Sequence, residues 1–211
     1  MKRPTLAFPN AYLETDEPPR KILREKGLSL LAVVGTSYFA VTVLLLSLFD
    51  PDYSPISKVA SDYGVGRFAI EMNVGFLLGG IGILAFVAHL LRTAGGPKSR
   101  IALALLTLSG LILATDSLVI ADLEGTSPTL HGTIHGLGGF FFFVAAPVGV
   151  ILVTRRIGSR LFLAAVVSFA IGFGFLFSSS LLALNAGGLA ERIIIETILL
   201  SIAYSSVAST G

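Results

Sequence analysis

GTIHGLGGFFFFVAAPVGVILVT, residues 132–154, runs for 23 positions without an Asp, Glu, Lys or Arg. A bilayer core about 30 Å thick needs about 20 apolar residues in helical form. A strand of a membrane barrel would alternate apolar and polar residues with period two. This stretch does not alternate, and neither does VTVLLLSLF at 41–49. Residues 132–154 therefore read as a membrane-spanning helix. Five more segments pass the same test, at 28–49, 69–91, 101–123, 161–184 and 192–208. The expected fold is an all-α membrane protein, a bundle of six transmembrane helices at 28–211 behind an N-terminal tail at 1–27.

Composition agrees. Of 211 residues, 54% are hydrophobic and 13% charged, about half the charge of an ordinary soluble domain. The mean hydropathy is +0.85. A water-soluble monomer needs a polar skin that so few charges cannot supply, which excludes a soluble enzyme, a nucleic-acid-binding domain and a disordered chain. A net charge of +2 argues for no polyanionic partner. The absence of Cys excludes disulfides, a thiolate metal site and a Cys nucleophile.

Basic residues set the orientation. Twelve Lys and Arg fall in the tail and in the connections 92–100 and 155–160, against three (Lys58, Arg67 and Arg192) on the other side. Both termini are expected in the cytoplasm and the chain in the cell membrane. The first span is too long, and lacks a cleavage site, to be a removed signal peptide. The tail has four prolines and mixed charge, so little fixed structure is expected of it. Its basic end suits anionic lipid heads. The first outer connection, FDPDYSPISKVASDYGVGR at 49–67, is 19 residues long. Its prolines, tyrosines and small polar residues favour an ordered cap over the bundle mouth, with Ser61 and Asp62 near His131.

Charged groups inside a bilayer are costly, face the bundle interior and often mark function. They gather in the outer half: Ser61, Asp62, Asn73, Asp116, Asp122, His131, His135, Glu191 and Arg192 are the candidates for a polar pocket, with Glu196 one turn deeper. At 1.5 Å per residue, Asp116 lies about 10 Å inside its span, and His135 about 6 Å inward from His131. A seven-residue loop would let the two approach. His89, at the opposite end of its span, reads as an interfacial residue.

HGTIHG carries two signals. His131 and His135 share one helix face, as a two-His divalent-metal site requires, with Asp116 as a third ligand. The plainer reading makes His131 a wet cap and His135 a helix-to-helix hydrogen bond. A bis-His haem fits poorly, because axial ligands come from opposite helices. Gly132 and Gly136 form a small-xxx-small pair that would let a helix pack closely. Gly75, Gly79, Gly80 and Gly82 read as helix packing, Phe140 to Phe143 as lipid-facing or core bulk, and Pro147 as a kink. Ser201, Ser205 and Ser209 read as a packing stripe. Ser178 to Ser180 read the same way or as the lining of a polar cavity.

The stretch SPISKVASDYGVGRFAIEMNVGFLLGG resembles the ISDLG-then-Asn-then-Gly pattern of the membrane family numbered 998 among domains of unknown function, at Ser61, Asp62, Gly64, Asn73 and Gly80. ADLEGTSPTLHG resembles that family's acidic loop before a His, here His131, and GLAER matches the start of its last span. Tyr63 stands where that pattern has Leu. The resemblance covers approximately residues 28–208 and implies a six-span fold in a membrane, with no established activity.

Three functions follow from these residues. The first is a binding, transport or scaffold protein whose polar pocket opens outward to a small ligand or lipid head group, with membrane lipids as partners. The second is a metal-dependent hydrolase acting on a lipid-like substrate. The third is an acyl-transfer site of His131, Asp122 and Ser61, which lacks a nucleophile-elbow signature. Oligomeric state stays open.

Overall fold

The computed structural model describes residues 19–50, 53–93, 99–123, 126–182 and 185–209, with side chains omitted at 19–22 and 179–181. Most of the tail, and Ser179 and Ser180 of the proposed serine lining, fall outside the described side chains. The described residues form six α-helices: α1 (Pro19–Phe49), α2 (Ala69–Arg92), α3 (Arg100–Asp116), α4 (Leu130–Ile157), α5 (Ser159–Leu182) and α6 (Gly187–Ala208). A short 3-10 helix, Ala60–Gly64, sits in the first connection. The fold is all-helical, and α1, α2, α4 and α5 are long and apolar enough to cross a membrane.

Helix ends follow local chemistry. Ser99 caps α3 by accepting from Ala102 N–H at 3.3 Å, and Thr129 caps α4 by accepting from Gly132 N–H at 3.0 Å. Such caps satisfy donors that the first turn leaves orphaned. Two boundaries differ from the sequence reading. α1 reaches back to Pro19, into the segment read as tail. α3 stops at Asp116, where the expected span ran to 123. There the Ser117 hydroxyl donates to the Ala114 carbonyl at 2.7 Å, and Leu118 and Val119 N–H groups both turn back onto Thr115 O. A side chain that competes for helical carbonyls favours such a stop. Pro147 stands inside α4 without ending it.

α1 packs against α2 and α6, α2 against α3, α3 against α4, and α5 mainly against α6. Lipid tails are as apolar as Leu, so helices in a membrane are held by close van der Waals packing rather than by exclusion from water. Glycines supply that closeness here. A methyl on Gly35 would run into the Leu78 carbonyl, and one on Gly82 would come 2.7 Å from Thr36 N. On the other side of α2, a methyl on Gly80 would lie 2.6 Å from Ala114 N and 2.7 Å from Gly110 O. Gly75 and Gly79 take the ring of Phe39 instead. The four α2 glycines are packing residues, as their spacing indicates.

The serine stripe of α6 is buried at Ser201 and Ser205, and the Ser29 hydroxyl of α1 donates to Ser206 O at 2.8 Å. His89 lies in the last turn of α2, at the end of the span as expected, and is packed inside the bundle. It is 1% exposed, with Nε2 2.9 Å from Ser209 Oγ, because α1 and α6 pack against that end of α2.

Candidate functional site

The first connection is a fastened cap. Arg192, near the start of α6, aims its guanidinium at it. Nε donates to Ser47 Oγ (2.8 Å), Nη1 to the carbonyls of Lys58 (2.7 Å) and Gly188 (3.0 Å), and Nη2 to Tyr63 OH (3.3 Å). The guanidinium carbon also lies 5.6 Å from the centre of the Tyr63 ring. An Arg fork suits several acceptors at once. Two more bonds flank it: Ala60 N–H donates to Glu191 Oε2 (2.6 Å), and Leu189 N–H to Ile56 O (2.9 Å). Gly188 must be glycine here, since a methyl would overlap the Lys58 carbonyl. From the α2 side, Asn73 Nδ2 donates to Gly64 O at 3.2 Å. Burial, and the charge of Asp62, hold the Tyr53 phenol of this cap above its ordinary pKa.

Beneath the cap lies a cavity of about 330 Å³. Its polar wall is made by Ser61, Asp116, His135 and Glu191, contributed by the 3-10 helix, α3, α4 and α6. The rest is largely aromatic, with Phe39 and Phe76 on one side and Phe140, Phe142 and Phe143 on the other. Asp116 and His135 are 7% and 9% exposed. His135 Nδ1 lies 2.9 Å from the Val119 carbonyl and 3.7 Å from Asp116 Oδ1. A carbonyl only accepts, so Nδ1 carries the hydrogen and, in the neutral ring, Nε2 keeps the lone pair. The Phe76 ring meets the imidazole edge-on at 6.0 Å.

Of the nine pocket candidates, the structure brings Ser61, Asp116, His135 and Glu191 together around one space. Asp62, Asn73 and Arg192 belong to the cap and its fastenings. Asp62 is 4% exposed and within electrostatic reach of His135 and Glu191. Asp122 and His131 are outside the cavity wall. The Asp122 carboxylate instead accepts from Thr129 N–H and Thr129 Oγ1, each at 2.7 Å, and so braces the cap residue of α4. Those two bonds hold its pKa below the usual carboxylate value. His131 is exposed on the first turn of α4.

Three expectations need correction. Among the described residues no three His, Asp or Glu gather as a metal site, so His131, His135 and Asp116 do not make one. Their geometry explains it: His135 turns to the Val119 carbonyl while His131 stays at the surface. Among the described residues the glycine pair of HGTIHG receives no helix. Gly132 faces the Asp122 side chain, and a methyl on Gly136 would meet nothing within 4 Å. Glu196 is not in this cluster. It lies in a separate groove between α5 and α6, with Oε1 buried and unbonded among the described residues. The sequence reading also missed the phenylalanine lining and the Val119 carbonyl, the first because an apolar residue looks alike on either face of a span, the second because backbone leaves no residue-type signal.

The family described as protein of unknown function, DUF998, matches residues 33–208, and the chain belongs to it. No curated protein and no solved structure matches the chain.

Proposed function

We propose that this family member is a multi-pass protein of the cell membrane. In this reading all six helices cross, both termini are cytoplasmic, and the capped cavity faces outward to bind a small molecule or a lipid head group. One observation carries the binding reading. Four separate elements converge polar side chains on a space of about 330 Å³, two of them buried beyond nine-tenths. Small-molecule sites are concave, mostly apolar, and oriented by a few such groups. The twelve-to-three division of basic residues supports the orientation, since Arg92, Arg155 and Arg156 stand at the end away from the cap. The 17 residues of α3 span about 26 Å as helix, and 117–123 extend it toward the outer surface.

Membrane-impermeant thiol labelling tests the topology, because the chain has no Cys of its own. Thr126→Cys should label from outside and Ser159→Cys only after permeabilisation. The opposite pattern overturns the orientation.

A further inference from the structure

We infer that the cavity takes an organic cation, an ammonium group whose apolar part lies on the phenylalanines. This deepens the binding reading above and rests on it. The polar wall is built almost wholly of acceptors. Asp116 and Glu191 are acidic. The Nδ1 hydrogen of His135 is committed to the Val119 carbonyl, which leaves Nε2. Among the described lining residues none is Lys or Arg. The Arg192 guanidinium is within electrostatic reach of Glu191, but it is absent from the cavity wall and gives four of its five N–H groups to Ser47, Lys58, Gly188 and Tyr63. Glu191 gives one oxygen to Ala60 N–H, and Asp116 has no hydrogen bond among the described residues. A buried carboxylate without a matching donor is costly, and a cation beside it removes that cost. An anion would meet two carboxyls with only the Ser61 hydroxyl free to donate against them.

The aromatic wall points the same way. Five phenylalanine side chains line a cavity of this size, and ring faces attract ammonium groups most strongly where water is excluded. Entry is also provided for. Gly136 and Gly139 of α4 line the cavity, and a methyl on either would meet nothing within 4 Å. Next to them Phe140 is 62% exposed on the outer face of the helix. Two absent side chains therefore leave a gap in the wall, opening beside the acyl chains. The ammonium could arrive free in water or as the head group of a lipid.

The test uses full-length protein in an uncharged detergent and follows thermal stabilisation by choline and by its neutral carbon isostere, dimethylbutanol. Choline should bind at least about tenfold more tightly, equivalent to 1.4 kcal/mol. That preference should vanish in Asp116→Asn. Glu191→Gln, whose amide oxygen can still accept from Ala60, should weaken it and serves if Asp116→Asn does not fold. Gly139→Leu should abolish both ligands while keeping the unliganded melting temperature. Equal affinity for the two ligands, both blocked by Gly139→Leu, would overturn the charge inference and leave the binding site standing. No binding of either, or of lysolipids, would overturn both. Saturation by lysophosphatidylcholine but not lysophosphatidylglycerol identifies a head group as the source of the cation, whereas choline alone identifies a free amine. Either outcome supports the inference.

Discussion

The glycine seam between α1, α2 and α3 and the capped end of the bundle are held by opposite means. At the seam, backbone meets backbone. Gly35, Gly80 and Gly82 leave no room for a methyl, and the nearest atoms are main-chain atoms of the facing helix. At the capped end the contacts are directional. Arg192, Glu191 and Asn73 reach across to carbonyls and an N–H of a 19-residue connection. Packing in lipid gains from closeness alone and tolerates no added volume. Long polar side chains let two backbones stand apart, but every buried partner must then be met. One region is therefore fragile to size and the other to polarity.

The largest effect should come from Gly80→Leu. Its side chain would have to displace the Gly110–Ala114 backbone, and overpacking of this kind costs about 3 kcal/mol or more. Gly136→Ala, on an open stretch of α4, should leave stability unchanged or raise it by up to about 1 kcal/mol, since Ala is the better helix former. Melting temperatures in detergent compare the two. Similar losses would erase the distinction between the seam and the open wall.

Arg192→Leu should cost about 2 kcal/mol, because it removes the donors to the Lys58 carbonyl and the Tyr63 hydroxyl while keeping an apolar side chain in place; Ser47 Oγ keeps its own bond to Val43 O. The loss should be local in its signature, with residues 53–64 becoming cleavable by protease while the helices stay protected. Uniform exposure of all connections would mean that Arg192 holds the bundle rather than its cap.

A smaller number sharpens the interior of the capped end. Asp116→Asn and His135→Ala, singly and together, form a double-mutant cycle. Their 3.7 Å approach, with the imidazole N–H already given to Val119, predicts a coupling of about 1 kcal/mol or less. Strict additivity would place the two groups in the same cavity without interaction.

The smallest effect concerns acidity. Asp122 is held below its usual pKa by Thr129, so its contribution to stability is fully present above its unfolded value near pH 4. That contribution is lost as pH falls through the lower folded value. Relative to the intrinsic exchange rate at each pH, the Gly132 amide of α4 should be less protected at pH 3 than at pH 6, and Asp122→Asn should flatten the difference. An unchanged amide in the native chain would show that the Thr129 cap stands without its brace.

What could be read from residues alone divides along the same line. Long apolar runs announce helices because the bilayer imposes one length and one backbone geometry. The spacing of Gly75, Gly79 and Gly82 therefore translated directly into a packing face. Asp116 and His135 were legible as partners, since each is too costly in lipid to point anywhere but inward. Asp122 and His131 were not separable from them, because both flank the same loop and differ only in how the chain turns at Ser117 and Thr129. Arg192 read as a pocket residue, and its fastening of the cap was hidden because three of its partners are backbone carbonyls or hydroxyls distant in sequence. Gly136 misled for a related reason: a small residue that admits a helix and one that leaves a gap look the same.

The fastening of the cap also has a consequence in time. Arg192 and Glu191 lie 134 and 131 positions after the Lys58 and Ala60 backbone groups they hold. At about 5–20 residues per second of synthesis, those partners emerge on the order of ten seconds after the connection itself. The α1–α2 pair closes early on its glycines and Asn73 can already hold Gly64, while the Lys58 carbonyl and the Ala60 N–H wait through the synthesis of α3, α4 and α5. The ribosome thus completes the roof only when α6 arrives. A chain stalled before that point carries a first connection fastened only from α2, a mark by which a protease could tell unfinished copies from finished ones.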